Sequence, residues 1–210
     1  MSEGPARTGD AAALIVHDLK NELGALEERL RQLALQHDDP ACTAAHAHCE
    51  QLRERFVQYL MVHGHDRGLV AHAVDDAPAA LLAQLAQTWQ SRWPALQVRV
   101  EGGAPPFAFY DPRLVRLALD AALHNACRHA RQRVTLRARA DAGGLRFQVD
   151  DDGPGPAPSS GAAPATTAGA TGLGLALCDR VAQAHRLGQA TGSSHLVATP
   201  GGCRFELCLP

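Results

Sequence analysis

Leu145-Arg146-Phe147-Gln148-Val149-Asp150-Asp151-Asp152-Gly153-Pro154-Gly155 is the stretch on which the reading of this chain turns. Residues 145–150 read as a strand. The acids and glycines after it read as a turn, because glycine bends the backbone without a Cβ and Asp-Gly is a common turn pair. Alone, the stretch is an acidic surface turn ending a hairpin, with Asp150 and Asp152 as solvated neighbours of Asp151. Its surroundings give it more weight. Residues 134–138 read as the partner strand, across a turn at 140–144. Before them Asp111 starts a helix running to about residue 130, with Pro112 at its first position, where a missing N–H costs nothing. After the turn, residues 154–170 are low-complexity Ala, Pro, Thr, Ser and Gly. Thr171-Gly172-Leu173-Gly174-Leu175 then opens a helix over 173–186. Strands at 194–198 and 203–209 close the chain around Pro200-Gly201-Gly202.

Working further upstream, the pattern predicts short strands at 69–74, 96–100 and 107–110. A helix is expected at 77–89, with Leu81, Leu82, Leu85 and Trp89 on one side. Strands interleaved with helices predict a two-layer α/β sandwich over residues 69–210. His63-Gly64-His65-Asp66-Arg67-Gly68 marks a break before it and is the expected hinge. The region before the break is different. Residues 11–36 read as one long helix whose Leu19, Leu23, Leu26, Leu30 and Leu33 alternate by four and three, a coiled-coil seam with Gly24 as its weak point. His37-Asp38-Asp39-Pro40 is a turn. A second helix follows at 41–63, with Cys49, Leu52, Phe56 and Tyr59 along its seam. Two such helices make an antiparallel hairpin over residues 9–65, preceded by a disordered tail at 1–8. So thin a hairpin cannot bury its stripes alone, so it is expected to pair with a second copy as a four-helix bundle, making the chain a homodimer of α+β class.

Composition excludes several functions. The 210 residues are 46% hydrophobic but only 4% aromatic, so Leu, Val and Ala must build the core. A net charge of −2 leaves no electrostatic footprint for nucleic acid. No stretch approaches the roughly 20 apolar residues that cross a bilayer, and the first ten residues lack the features of a signal peptide. These points predict a cytoplasmic protein with no membrane insertion, served by a separate sensor protein. The six cysteines form no C-x-x-C pair and read as reduced, partly core residues. Cys42, His46 and Cys49 share a helical face, but metal sites normally draw ligands from separate elements, which argues against zinc there.

Four local patterns carry the chemistry. His17-Asp18-Leu19-Lys20-Asn21, within the heptads, sets an acid beside a histidine and an amide one turn later. A neutral imidazole is a competent nucleophile near neutral pH. Leu123-His124-Asn125-Ala126 places an asparagine in mid-helix, where it is unfavourable without a task. The other two are the glycine turns at 151–155 and 171–175. Free N–H groups at a helix start, approached through glycine, suit a phosphate. Each pattern alone has an ordinary structural explanation; their order and the elements that hold them are the signal.

On these residues the chain resembles the sensor histidine kinases, across nearly all of residues 11–210. The resemblance implies a dimerisation and phosphoacceptor hairpin, followed by an ATP-binding domain of the kind shared with gyrase-type and heat-shock-chaperone ATPases. It implies that His17 takes the γ-phosphate of ATP, that Asp18 fixes and stabilises its ring, and that Asn21 positions water for dephosphorylating a partner. It implies Asn125 as a Mg²⁺ ligand, with Arg128 and His129 near phosphate oxygens, and Asp151 accepting from the adenine amino group. Gly153 and Gly155 shape the turn around the base, and Thr171, Gly172, Leu173 and Gly174 hold phosphate, under a mobile lid at 156–171. The partner implied is the receiver domain of a response regulator, whose aspartate accepts the phosphate in a two-component system. The chain departs from the family pattern at Ala121 and Ala170, where relatives carry a polar residue and a glycine, and its lid has no charged residue. Two rivals remain: a phosphorelay or scaffold protein with a degenerate ATP domain, and a serine kinase, against which the heptad-borne His17 speaks.

Overall fold

The computed structural model describes residues 7–37, 39–63, 69–141, 144–155 and 173–210. The chain divides into two compact units, Met1–Gly64 and His65–Pro210. The first holds α1 (Arg7–Gln36) and α2 (Pro40–His63), which pack on each other. The Asp39 carboxylate accepts the Ala41 N–H at 2.8 Å, and Pro40 opens α2. Arg53 pairs with Glu27 across the two helices, and the buried Cys49 sets its Sγ 4.0 Å from the Leu23 carbonyl. Leu23 and Leu30 are half-buried, whereas Leu19, Leu26 and Leu33, seven residues apart, remain 42–48% exposed. The leucine seam therefore splits into a row partly covered within this unit and a row left open. The tail expected over 1–8 lies outside the described residues up to residue 6, and α1 begins at Arg7. The expected hinge at 64–68 also lies outside them.

The second unit is a mixed α+β domain. In chain order it holds β1 (Val74–Asp76), α3 (Pro78–Arg92), β2 (Gln97–Val100), β3 (Ala108–Tyr110), α4 (Pro112–His129), β4 (Arg133–Asp141), β5 (Gly144–Asp151) and α5 (Leu173–Ala184). It ends with β6 (Arg186–Leu187), β7 (Ala190–Thr191), β8 (Ser193–Thr199) and β9 (Gly202–Leu209). The main sheet runs β2-β4-β5-β9-β8, with β2 parallel to β4 and the other pairs antiparallel. Register explains its two faces, since alternate residues point to opposite sides. Val134, Leu136 and Ala138 stand opposite Asp151, Val149 and Phe147 on β5, which in turn meet Cys203, Phe205 and Leu207 on β9. All of these except Asp151 are buried, and α3, α4 and α5 pack on the sheet. The other face is ionic. Arg137 and Arg204 both bind the Asp150 carboxylate, Arg137 also reaches Glu101 at 2.6 Å, and the Gln148 amide donates to Glu206 at 2.6 Å.

Two expectations change. The strand expected over 69–74 begins only at Val74, and one reason is visible at His72, whose N–H donates to the Asp111 carboxylate at 2.8 Å instead of to a neighbouring strand. The last helix stops at Ala184 rather than 186, because Arg186 and Leu187 pair with Thr191 and Ala190 as a small ribbon that no apolar pattern announces. Among the described residues no helix is long and apolar enough to cross a membrane. All six cysteines are free thiols.

Candidate nucleotide site

Asp111 builds the helix that carries the first half of the site. Its backbone is extended, its Oδ1 accepts the N–H groups of Arg113 (3.0 Å) and Leu114 (3.2 Å), and Pro112 follows at the first helical position. α4 then buries Leu114, Val115, Ala118, Leu119, Ala122, Leu123 and Ala126 and leaves Asn125 and Arg128 exposed. His129, the last residue of α4, is half-buried. His124 sets its ring edge-on to Trp89, centroids 6.2 Å apart, and the Trp89 indole N–H donates to Asp120 at 2.9 Å. α3 thus fixes the rotation of α4, and with it the side that Asn125 presents.

The second half is the turn after β5. Asp151 follows Val149 by two residues and so lies on the helix-covered face of the sheet. Burial pushes its carboxyl pKa up, against the Gly153 N–H it accepts at 2.9 Å and the nearby His129. The Cys203 N–H also bonds this carboxylate, and a half-buried carboxylate with lone pairs beyond those two bonds suits an exocyclic amino group. The glycines of this turn make room for protein as much as for any ligand. A Cβ on Gly153 would stand 2.5 Å from the His129 carbonyl oxygen, and one on Gly155, whose φ is +77°, 3.2 Å from the Gly202 carbonyl oxygen. The turn is therefore pressed against the end of α4 on one side and the start of β9 on the other.

Asp150 and Asp152, expected to be solvated, are neither free nor alike. Asp150 is held by two arginines on the ionic face. Asp152 accepts three successive backbone N–H groups, from Arg131, Gln132 and Arg133, at 2.8, 3.0 and 3.1 Å. The local acidic pattern cannot reveal either partner set, because both lie at least 13 residues away.

The second glycine stretch is described from Leu173 onward. Gly174 stands in the first turn of α5, and a Cβ there would meet only the Ala121 methyl, at 3.9 Å. The departure at Ala121 thus has a packing consequence: a small residue sits where α5 closes on α4, near the Cys178 thiol, which lies 3.4 Å from the Ala118 carbonyl oxygen. Thr171, Gly172 and the lid at 156–171 lie outside the described residues. His17 and Asp18 fall within α1, but their side chains lie outside what is described; Asn21 is exposed on the same helix.

Gly202 is a position on which the turn at 151–155 depends and that local sequence reasoning passes over as an ordinary turn residue. Its φ is +153°, and a Cβ on it would fall 1.9 Å from the Asp151 carbonyl oxygen. Gly202→Ala is therefore expected to cost at least about 2 kcal/mol, since strand and turn cannot both keep their places. Gly174→Ala, with ordinary contact and better helix propensity, is expected to cost nothing. Urea midpoints of the two variants check the contrast.

Residues 151–155 and 125–129 thus meet around His129. Among the described residues no cluster of three or more His, Cys, Asp or Glu could hold a metal ion. A Mg²⁺ here would take most of its ligands from phosphate oxygens and water, which is its common habit, with the exposed Asn125 amide as a protein donor of the right hardness.

Residues 110–210 match the family model described as histidine kinase-, DNA gyrase B- and HSP90-like ATPase. No curated protein sequence matches the chain. Among solved structures, the histidine kinase AdeS of Acinetobacter baumannii is similar over 92% of this chain and 96% of its own, with 15% identity and a TM-score of 0.58. Full-length ShkA in complex with AMPPNP is similar over 97% of this chain and 46% of its own, with 21% identity and a TM-score of 0.66. The ATP-binding domain of PrrB from Mycobacterium tuberculosis is similar over 66% of this chain and 96% of its own, with 28% identity and a TM-score of 0.51. The first two likenesses establish a shared fold.

Proposed function

We propose that the chain, whose residues 110–210 match the model of the histidine kinase-, DNA gyrase B- and HSP90-like ATPases, is an ATP-dependent protein-histidine kinase of a two-component system. The observation that carries this reading is the junction of Asp151, Gly153 and His129 at one end of an ATPase-family domain, on a chain whose first helix holds a histidine-acid pair in leucine heptads.

In this reading Asp151 binds the adenine amino group, Asn125 supplies an oxygen to Mg²⁺, and Arg128 and His129 face phosphate oxygens. Thr171, Gly172, Leu173 and Gly174 offer backbone N–H groups to the phosphates, beneath a lid at 156–171. A ring nitrogen of His17 attacks the γ-phosphorus as the bond to the β–γ bridging oxygen breaks, and ADP leaves. Asp18 takes the hydrogen bond from the other ring nitrogen and balances the imidazolium charge. The phosphoryl group then passes to an aspartate of a response-regulator receiver domain, and Asn21 orients water for the reverse service, removal of that phosphate. Positioning and charge stabilisation are most of what phosphoryl transfer demands of a protein.

The open row Leu19, Leu26 and Leu33 supports pairing with a second copy as a four-helix bundle, the form in which such a stripe is covered. Residues 64–68 serve as the hinge by which the ATP domain reaches His17. The protein works in the cytoplasm.

Incubation with γ-labelled ATP and Mg²⁺ tests the proposal. Acid-labile, base-stable label on the protein is expected. A chain that binds ATP without acquiring label is not a histidine kinase, and a chain that binds no ATP but accepts phosphate from a partner kinase is a relay.

A further inference from the structure

We propose that Asp152 is a positioning residue of the nucleotide site, holding the backbone that leaves α4 against the turn that carries Asp151. The inference rests on the reading of residues 110–210 as an ATP site and adds a residue to it that touches no ligand.

The two halves of that site come from distant parts of the chain. Asn125, Arg128 and His129 belong to the last turns of α4, and Asp151 and Gly153 to the end of β5 and its turn. Their spacing depends on residues 131–133, which follow the C-cap of α4 at Ala130. Asp152 reaches all three: one oxygen accepts the N–H groups of Arg131, Gln132 and Arg133, and the N–H of Asp152 itself donates to the Arg133 carbonyl at 3.3 Å. Convergent backbone N–H groups on an ionised acceptor make stronger bonds than neutral pairs do. Burial works against the charge of this carboxyl, but the amides of Gln132, Arg133 and Arg131 outweigh it and hold the pKa below the usual aspartate range. Gly153 closes the joint from the other side, its Cα against the His129 carbonyl. Asp151 and Asp152 therefore divide the labour of adjacent residues on opposite sides of a strand end. One faces the helices, where the base would lie, and the other ties down the backbone behind the metal and phosphate half.

A carboxylate that only caps a turn would affect stability and nothing else. Asp150 provides the control, because it too is half-buried and held by several bonds, to Arg137 and Arg204, but on the ionic face away from the site. AMPPNP binding with Mg²⁺ is measured by calorimetry on the full chain, well below each variant's melting temperature. Asp152→Ala is expected to weaken binding about 10-fold or more, the usual size of losing a group that orients ligand-bearing residues. Asp152→Asn keeps an acceptor oxygen but not the charge, and is expected to recover only part of that loss, binding more weakly than wild type. Asp150→Asn is expected to lower the melting temperature with affinity at the wild-type level. Wild-type affinity in both Asp152 variants overturns the inference, as does an equal loss of affinity in Asp150→Asn. If Asp152→Ala does not fold, Asp152→Asn decides alone, through faster amide exchange at residues 131–133 together with weaker binding. A wild-type chain that binds no AMPPNP overturns the ATP reading itself, a result distinct from loss of the clamp.

Discussion

His17→Gln abolishes incorporation of phosphate from γ-labelled ATP, by a factor of about 1,000 or more, and leaves AMPPNP affinity unchanged. Both halves of this expectation follow from how the chain is divided. His17 belongs to the unit Met1–Gly64, whereas the proposed nucleotide contacts all belong to His65–Pro210, so the acceptor can be removed without touching the binding residues. Glutamine is close to histidine in length and is a good helix former, so α1 keeps its backbone. What it lacks is a ring nitrogen with an available lone pair, and an amide nitrogen is not a nucleophile at neutral pH. Asp151→Asn is the complementary variant. It keeps the shape of the side chain, removes its charge, and offers N–H groups where an acceptor is needed. Losing one hydrogen bond to a charged acceptor is worth roughly 1.5–3 kcal/mol, so AMPPNP affinity is expected to fall about 10- to 100-fold. Label falls with it at ATP concentrations near the wild-type Kd and recovers partly at high ATP. The pair separates acceptor from binding site: one loses chemistry with binding intact, the other loses binding first. Stable label on His17→Gln moves the acceptor elsewhere, and unchanged affinity in Asp151→Asn removes that carboxylate from the purine pocket.

What could be read in the sequence was what local pattern determines. Asp111 and Pro112 announce the start of α4 because a cap and a first-position proline act within one turn, and the structure places both there. Residues 145–150 and 203–209 read as strands for the same reason, since the strand pattern is a local property. Three of the misreadings share one cause, a partner distant in sequence. Asp152 looks like a solvated member of an acidic run until residues 131–133 fold back on it. Residues 69–73 look like a strand until the His72 N–H is claimed by Asp111, 39 residues on. Gly202 looks like turn punctuation until the register of β5 and β9 presses it against the Asp151 carbonyl. At the candidate site Asp151 and Asn125 stand out in the sequence as motif residues. The scaffold that fixes their separation does not, because it is made of backbone groups, and every residue has those.

Asp111→Ala is expected to lower the stability of the ATPase-type domain by about 3 kcal/mol, which for a chain of this size lowers the melting temperature by roughly 10 °C. The carboxylate is fully buried and serves two elements at once. It caps α4 through the Arg113 and Leu114 N–H groups, a role worth about 1 kcal/mol. It also accepts the His72 N–H from the segment entering the domain, and leaving that donor without an acceptor costs a further 1–3 kcal/mol or so. The Arg113 guanidinium adds little, since that side chain is 72% exposed. The Asp111 backbone N–H donates to Nε2 of the buried His185, whose Nδ1–H donates to the Val181 carbonyl. Those two bonds link α4 to the end of α5 and survive the substitution, so the loss measures the carboxylate alone. Acid provides an independent check. Burial opposes the charge of Asp111, but the Arg113 guanidinium and the N–H groups of His72, Leu114 and Arg113 overcome it and hold the pKa at about 2. A carboxyl whose folded pKa is depressed contributes its full stability above its unfolded pKa, and loses it as pH falls through the folded value. About 2 kcal/mol should therefore drain from the wild type between roughly pH 4 and pH 2. Asp111→Asn keeps an oxygen for the cap but cannot ionise. The stability gap between it and the wild type should narrow across that interval and close near pH 2. A gap of constant size down to pH 2 means that the charge of Asp111 contributes nothing to the fold, and that the junction of α4, α5 and the entering segment is held by its backbone bonds alone.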